Sequence, residues 1–409
     1  MSERNRLQST GTVRPIASTA GYYLSFIGLG LSMAVLGPAL KGLTEQTGST
    51  LAGISVLFTA KSLGYLIGIF GGGHLFDRFP GHRLLAGAFV LMAAAFALVP
   101  FVPMVSVLAG LIFLTGFADG IVDVGGITLV VWVNRHNPDP YQNGLHFAFG
   151  VGAFLWPIII GWAIMRSGSI EIAFLLVAVM VLVPALWLIR LHSPVSEHLQ
   201  DEVENGKIDP IFVGLLVLFF FTFVAAESSF GGWIKSYVME SGFGDERSAT
   251  FLNSAFWGGL TLGRLAGVWI STRYTPNVML SADIFGCLVS LGIMIAFPGN
   301  PTALWIGTIG MGVSVATMFA TGVNFAERRM ALTGKVTSML LVGGSIGSMT
   351  LPWLIGQLFE RIGPHVTMYA IFVNMMVSGM MFLVIMAYAR RVPERLRKPV
   401  DKSVPVEIP

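Results

Sequence analysis

The sequence is short of charge and almost free of cysteine. Of its 409 residues, 11% are charged and 54% are hydrophobic, whereas a soluble domain carries about 25% charged residues. The mean hydropathy is +0.75. Cys287 is the single cysteine, which excludes a disulfide framework and a cysteine-based metal site. These shortages exclude an ordinary soluble domain and indicate a polytopic membrane protein.

Motifs of several other protein classes are missing as well. The seven histidines are scattered without an H-E-x-x-H pattern, and no G-x-x-x-x-G-K-[ST] loop is present, which argues against a zinc peptidase and an ATP-driven pump. The basic residues are spread over loops, which argues against nucleic-acid binding. The polar N-terminus lacks the apolar core of a signal peptide. We therefore expect no enzyme activity, no cofactor and no nucleic-acid partner.

Twelve apolar stretches are long enough to cross the hydrocarbon core as helices. They cover residues 16–40, 51–73, 84–102, 104–133, 142–166, 171–190, 211–238, 248–270, 277–297, 301–326, 334–358 and 364–389. A polar linker, 191–210, separates two six-helix halves, 16–190 and 211–389, with an N-terminal segment 1–15 and a basic tail 390–409 outside them. The sequence predicts an all-α integral membrane protein made of two pseudo-symmetric six-helix bundles.

The basic residues predict the orientation of these spans. Most Lys and Arg fall in the loops and the tail on one side of the arrangement, and such loops stay in the cytoplasm. We expect both termini to be cytoplasmic and the protein to be a multi-pass component of the plasma membrane, specifically a bacterial inner membrane. The basic tail predicts contact with anionic lipid.

The two halves repeat at a constant offset of 195 residues. This shift superposes glycines of the second and eighth spans, and glycines and a proline of the fifth and eleventh. Such duplicated halves are the plan of a major facilitator transporter, with a binding site between the halves near mid-membrane. The matching sets are Gly64, Gly68 and Gly72 with Gly259, Gly263 and Gly267, and Gly152, Pro157 and Gly161 with Gly347, Pro352 and Gly356.

Charged residues inside the spans indicate where the chemistry lies. Asp119 and Asp123 lie four residues apart in the fourth span, on one helix face, with Lys61 in the second span and Glu227 in the seventh. None can face lipid cheaply, so they are expected to converge on a central cavity or on each other. Three acids and one base leave up to two surplus negative charges, which a proton, Na⁺ or a cationic cargo must offset. We expect these four residues to couple transport to H⁺ or Na⁺. A sodium ion near Asp119 and Asp123 is one candidate for the coupling cation. Lys61 could equally form a structural salt bridge with either aspartate.

The loop after the second span, GHLFDRFPGHRLL, resembles the signature loop of the major facilitator superfamily. The matching positions are Gly73, Leu75, Asp77, Arg78, Gly81 and Arg83, and Pro80 is an extra residue. The resemblance implies that Asp77, Arg78 and Arg83 form a cytoplasmic latch that gates the carrier. Arg264, in TLGRLAG, would belong to a degenerate second copy of the same motif.

Six further segments narrow the resemblance to one branch of that superfamily. GYYLSFIGLGLSMAVLGPAL, TAKSLGYLIG, DVGGITL, NGLHFAFGVGAF, AAESSFGGWI and WGGLTLGRLAG look like the branch that holds fucose permease and the sodium-dependent glucose transporter-like proteins. Membership implies that Asp123 is the acid that links cargo binding to proton or cation movement. Ile127 stands where a polar Asn is expected, which weakens the case for a strongly polar sugar.

Polar and aromatic side chains in the central spans suit a sugar, because amides and hydroxyls bond its OH groups while aromatic rings pack on its C–H face. His146 and Asn143 lie near the cytoplasmic start of the fifth span, so a gating role is equally open to them. The predicted substrate-binding residues are Tyr22, Tyr23, Ser25, Asp123, Asn143, His146, Glu227, Trp233, Asn253, Trp257 and Asn324.

The sequence predicts a monomeric secondary transporter that couples uptake of a sugar or similar small polar solute to H⁺ or Na⁺ by alternating access. A carrier of lipid, lysolipid or another amphipathic solute is the alternative within transport, because many cavity positions are apolar. A non-transporting membrane receptor or scaffold is the alternative from another class, and it would not need the central acids.

Overall fold

The structure, a computed structural model, describes residues 14–76, 78–134, 138–194, 209–330 and 334–390. In this part of the chain every regular element is helical: α-helices and one 3-10 helix, Val99–Phe101. The α-helices are α1 (Pro15–Met33), α2 (Leu36–Thr47), α3 (Leu51–Ile54), α4 (Val56–Phe76), α5 (Gly81–Leu98), α6 (Val105–Val133), α7 (Asp139–Ser167), α8 (Glu171–Leu188), α9 (Pro210–Glu240), α10 (Glu246–Ile270), α11 (Pro276–Ala296), α12 (Pro301–Val315), α13 (Met318–Glu327), α14 (Gly334–Ile362) and α15 (Val366–Ala389).

Eleven helical stretches in the described residues are long and apolar enough to cross a membrane. α10 is the twelfth by length, since its 25 residues rise about 37 Å. It is the most polar of the twelve candidates because it carries Glu246, Arg247 and Arg264. The predicted twelve-helix architecture therefore holds. α10 packs against α7, α9 and α12, while Leu262, Val268 and Trp269 stay exposed on it.

Three of the predicted spans are interrupted helices. The first breaks at Ala34 and Val35 between α1 and α2, the second at Ser55 between α3 and α4, and the tenth at Ala316 and Thr317 between α12 and α13. A break frees main-chain carbonyls that a continuous helix would bond. At the first break the indole Nε1 of Trp156 donates to the Val35 carbonyl at 3.2 Å. Apolar composition gave no sign of these breaks.

Helices α1–α8 pack mainly on one another and α9–α15 do the same, which gives an N-terminal and a C-terminal bundle. Equivalent glycines make equivalent contacts in the two bundles. A Cβ on Gly64 would overlap a main-chain carbonyl of α6, and one on Gly259 would crowd a carbonyl of α12. Gly152 brings α7 against α1 as Gly347 brings α14 against α9. The 195-residue repeat is thus a repeat of close helix packing.

The two bundles meet where α7 packs on α10, α3 and α4 on α14, and α2 on α9. We call the end where α2 ends and α10 begins the outer end, following the predicted orientation. Between described residues, the hydrogen bonds that join the bundles lie between this outer end and the middle of α4 and α14. They are Lys235 Nζ to the Pro38 carbonyl (2.8 Å), Gln357 Nε2 to the Ala52 carbonyl (2.9 Å), Ala52 N to Glu360 Oε1 (3.0 Å), Ser348 Oγ to Ser62 Oγ (3.0 Å), Thr59 Oγ1 to the Met349 carbonyl (3.1 Å), and longer bonds from Ser55 Oγ to the Trp353 carbonyl and from Gln357 Nε2 to Ser55 Oγ.

Several predicted features fall outside the described residues. These are Asp77, the N-terminal residues 1–13, most of the linker (195–208) and nearly all of the basic tail (391–409). The domain boundaries, the cytoplasmic termini and the lipid contact of the tail stay predictions.

Candidate functional site

The centre of the N-terminal bundle holds a buried ion pair. Lys61 Nζ on α4 lies 2.7 Å from Asp119 Oδ2 on α6, and the two side chains are 7% and 0% exposed. Lys61 also donates to Ser32 Oγ on α1 at 3.2 Å. Gly116 allows the approach, because a Cβ there would overlap the Lys61 main chain. Lys61 and Asp119 therefore neutralise each other inside one bundle.

Asp123 lies one turn further along α6 and has a different kind of partner. Tyr65, one turn beyond Lys61 on α4, donates its hydroxyl to Asp123 Oδ2 at 2.6 Å. The Asp123 side chain is partly exposed, and none of the ion pairs between described residues includes it. The two aspartates thus share a helix face, as predicted, but only Asp119 has a cationic partner.

The C-terminal bundle contributes a second charged pair. Arg264 on α10 lies 3.8 Å from Glu227 on α9, with both side chains partly exposed. The guanidinium also sits 5.4 Å from the ring centroid of Phe149, which belongs to the other bundle, a cation–π contact across the interface. Its charge acts on Asp123 and His146 as well.

Arg264 changes the charge count made from sequence. That count set Lys61 alone against Asp119, Asp123 and Glu227 and left up to two surplus negative charges. With Arg264 among the central residues the surplus falls to one. Asp123 is the central acid that forms no ion pair with another described residue. Arg264 was assigned to a gating motif, but its contacts place it in the central charge cluster. This position is dictated by Glu227, its salt-bridge partner on the adjacent helix.

No group of three or more His, Cys, Asp or Glu side chains in the described residues is arranged to hold a metal ion. A single carboxylate with hydroxyls and carbonyls can still hold Na⁺, because hard cations prefer oxygen ligands. A sodium ion near Asp119 and Asp123 stays a prediction, and Asp123 is the more suitable ligand since Asp119 already binds Lys61.

Two predicted substrate residues on α10 present unpaired polar atoms. Asn253 Nδ2 donates to the Gly231 carbonyl at 2.6 Å, while Asn253 Oδ1 has no hydrogen-bond partner among the described residues. Trp257 Nε1, one turn further, is likewise buried without one. Buried polar groups are seldom left unpaired. Together these atoms offer one acceptor and one donor.

Three predicted substrate residues lie in helix-packing positions instead. Tyr22 is fully buried and bonds His82 Nε2 at 2.8 Å, and Ser25 is buried and donates to the Gly21 carbonyl of its own helix. Trp233 is fully buried and donates to the Pro352 carbonyl at 3.0 Å. Each of the three bonds a protein partner in this conformation, and their role in substrate binding stays a prediction.

The remaining predicted residues spread towards the inner end. Tyr23 lies over Gly144 at the start of α7, and Asn143 and His146 follow on the same helix with exposed side chains. Asn324 is exposed on α13, apart from these contacts. Of the predicted gating residues, Arg78 and Arg83 are exposed in and after the loop that follows α4, and Asp77 lies outside the described residues.

Sequence reasoning missed three polar residues. Tyr65 could have been found, because it follows Lys61 by four residues as Asp123 follows Asp119, so both pairs sit on matching turns of α4 and α6. Lys235 was not among the predicted site residues, yet it is 2% exposed and forms an ion pair with Glu246 at 2.5 Å. Asp283, within the ninth span, was overlooked.

Two bundles that meet around a central set of charges, closed at one end by hydrogen bonds between them, define a membrane carrier. Residues 22–349 match the family described as Major Facilitator Superfamily. The chain belongs to the Major Facilitator Superfamily, and it is a multi-pass transporter of small molecules rather than an enzyme.

Curated relatives and a solved structure agree with this assignment. Sodium-dependent glucose transporter 1 of Homo sapiens is 29% identical over 93% of this chain and 81% of its own length. Sodium-dependent glucose transporter 1A of Mus musculus is 29% identical over 82% and 88%. Major facilitator superfamily domain-containing protein 4A of Homo sapiens is 24% identical over 86% and 88%. A crystal structure of a variant of the nucleoside transporter NupG shares the fold, with a TM-score of 0.73 and 13% identity over 91% of this chain and 99% of that one.

Proposed function

We propose that this transporter is a symporter that couples uptake of a sugar or similar small polar solute to a cation, H⁺ or Na⁺. The observation that carries the proposal is Asp123. Within the part of the chain that the structure describes, it is the central acid without an ion-pair partner. It is partly exposed, and the charge of Arg264 acts on it from the other bundle. A lone carboxylate inside the membrane requires a cation or a proton, which is what a coupled carrier must load and unload.

The unpaired atoms on α10 support a hydroxylated solute. Asn253 Oδ1 can accept a hydrogen bond and Trp257 Nε1 can donate one. Sugar hydroxyls can bond to both atoms, since a hydroxyl is a donor and an acceptor at once. The Trp257 ring provides an apolar face beside them. The relatives named sodium-dependent glucose transporters point to the same solute class.

Closure of the outer end supports alternating access. In this conformation, bonds such as Lys235 to Pro38 and Gln357 to Ala52 hold the bundles together at one end. Rocking of the bundles about the central charges would break these bonds and open that end. On this proposal the structure is an inward-facing state of a monomer, and a bacterial inner membrane is its expected location.

The test is uptake of radiolabelled glucose and a panel of other sugars into proteoliposomes with Na⁺ and pH gradients imposed separately. Asp123→Asn keeps an acceptor for Tyr65 and removes only the charge, so it should fold, exchange solute and fail to accumulate it. Asp245→Asn, which removes an exposed carboxylate at the outer end of α10, is the matched control and should accumulate normally. Accumulation by Asp123→Asn at the wild-type level would refute the coupling role, and movement of lysolipid but of no sugar would favour the lipid carrier.

A further inference from the structure

Asp283 is a second carboxylate inside the membrane that the central cluster does not use. It lies on α11 (Pro276–Ala296), seven residues after the first residue of the helix, and is partly buried. Thr317 donates its hydroxyl to Asp283 Oδ2 at 2.5 Å. None of the ion pairs between described residues includes Asp283. One hydroxyl satisfies one of about four acceptor positions of a carboxylate, so the negative charge itself is not balanced.

The hydroxyl partner stands at a break in a membrane helix. α12 ends at Val315 and α13 begins at Met318, so Thr317 is the residue immediately before α13. Interrupted membrane helices expose main-chain carbonyls and hydroxyls, and these are the groups that coordinate coupling cations in transporters built from repeats. The carboxylate therefore faces a backbone irregularity rather than a regular helix surface.

The Asp283 position is connected to the central charges through α10 and α9. Thr317 packs against Gly267, one turn beyond Arg264 on α10. The thiol of Cys287, one turn from Asp283, lies within electrostatic range of both Asp283 and Glu227. The 195-residue repeat aligns Thr317 with Val122, next to Asp123. Asp283 thus lies at about the depth of Asp123, but in the opposite bundle.

We propose that Asp283, with the Thr317 hydroxyl and the helix break, forms a second monovalent-cation site, for H⁺ or Na⁺, in the C-terminal bundle. The groups around it that carry or can gain charge are Cys287 on α11 and Glu227 on α9, both neutral or negative, while Arg264 is engaged with Glu227. The beginning of α13 adds only a partial positive charge. The site goes beyond the proposed function, because it would exist whether or not Asp123 couples transport.

The test uses the full-length carrier in lipid nanodiscs and needs no solute. Infrared spectra report protonated carboxyl groups between about pH 5 and about pH 9, and radiolabelled sodium reports Na⁺ bound per carrier. Asp283→Asn keeps the acceptor for Thr317, so it should fold. We expect it to lose one titrating carboxyl band if the site binds H⁺, or one bound Na⁺ per carrier if it binds Na⁺.

Two further variants separate this site from the others. Asp123→Asn should retain the signal that Asp283→Asn loses, which keeps this outcome independent of the proposed symport. Thr317→Val should retain the carboxylate but remove a hydrogen bond that stabilises its charged, unloaded form. If the site binds H⁺, proton binding should therefore tighten by about tenfold. If it binds Na⁺ through the hydroxyl oxygen, sodium binding should weaken instead. If the carboxyl bands and the bound sodium of Asp283→Asn both equal those of the wild type, Asp283 is a structural partner of Thr317 and the proposal is wrong.

Discussion

Lys235 is predicted to control how readily the outer end opens. It belongs to α9 in the C-terminal bundle, yet its Nζ donates to the carbonyl of Pro38 in the N-terminal bundle at 2.8 Å. Glu246 holds the ammonium from the other side at 2.5 Å. A hydrogen bond from a charged donor contributes about 1.5–3 kcal/mol. Since every 1.4 kcal/mol is about tenfold, Lys235→Met should raise the outer-open population by about 10- to 150-fold.

Labelling of a buried cysteine measures that population. Ser55 is fully buried under the outer contacts, and the native Cys287 is also fully buried and can be replaced by Ser. In a Ser55→Cys carrier, the rate of reaction with a membrane-impermeant maleimide should follow the open fraction. Lys235→Met should raise this labelling rate by the same 10- to 150-fold, about the increase expected in the outer-open population. Arg247→Gln is the matched control, because Arg247 interacts with Phe251 and Asp245 of its own bundle. Equal labelling rates with and without the Lys235→Met substitution would refute the prediction that Lys235 holds the outer end closed.

Two further predictions concern the N-terminal bundle. Lys61→Met should lower the free energy of unfolding by about 3–5 kcal/mol, because it leaves the buried Asp119 charge without its cationic partner. The double variant Lys61→Met with Asp119→Leu should recover most of that loss. Equal losses for the single and double variants, measured by denaturant titration in mixed micelles, would contradict this. Tyr65→Phe should lower the half-saturating cation concentration for uptake by about tenfold, because it frees Asp123 from a competing hydrogen bond. Tyr22→Phe is the control and should leave that concentration unchanged. The same shift in both variants would show that the effect is not local to Asp123.

The architecture could be predicted from sequence because it rests on composition and on repeated glycines. A long apolar stretch has few options in a bilayer other than a helix. Glycine marks the places where two helix backbones come into close contact. Gly64 and Gly259 are equivalent in the sequence repeat, and in the structure each brings its helix against a neighbouring backbone. Intramembrane acids could be located for the same kind of reason, since a charge in lipid stands out against its surroundings.

The direction of each side chain could not be predicted in this way. Tyr22 and Trp233 lie in apolar spans beside polar neighbours, as cavity residues do, but each is satisfied by one distant partner, His82 or the Pro352 carbonyl. Those partners are set by tertiary packing. The position of Arg264 could not be predicted for a related reason. Its motif resembles a loop sequence, whereas its side chain forms an ion pair with Glu227 on the neighbouring helix.

The partition of charge between the bundles suggests how coupling would work under the proposed function. Lys61 and Asp119 cancel within the N-terminal bundle, so their interaction changes little when the bundles rock. Asp123 differs, because the cationic charge of Arg264 that acts on it belongs to the other bundle and is shared with Glu227. When a cation occupies Asp123, Arg264 loses that attraction and Glu227 keeps it alone. A ligand shifts a conformational equilibrium only through different interactions in the two states. Loading of Asp123 would change its electrostatic interaction with Arg264 across the bundle interface.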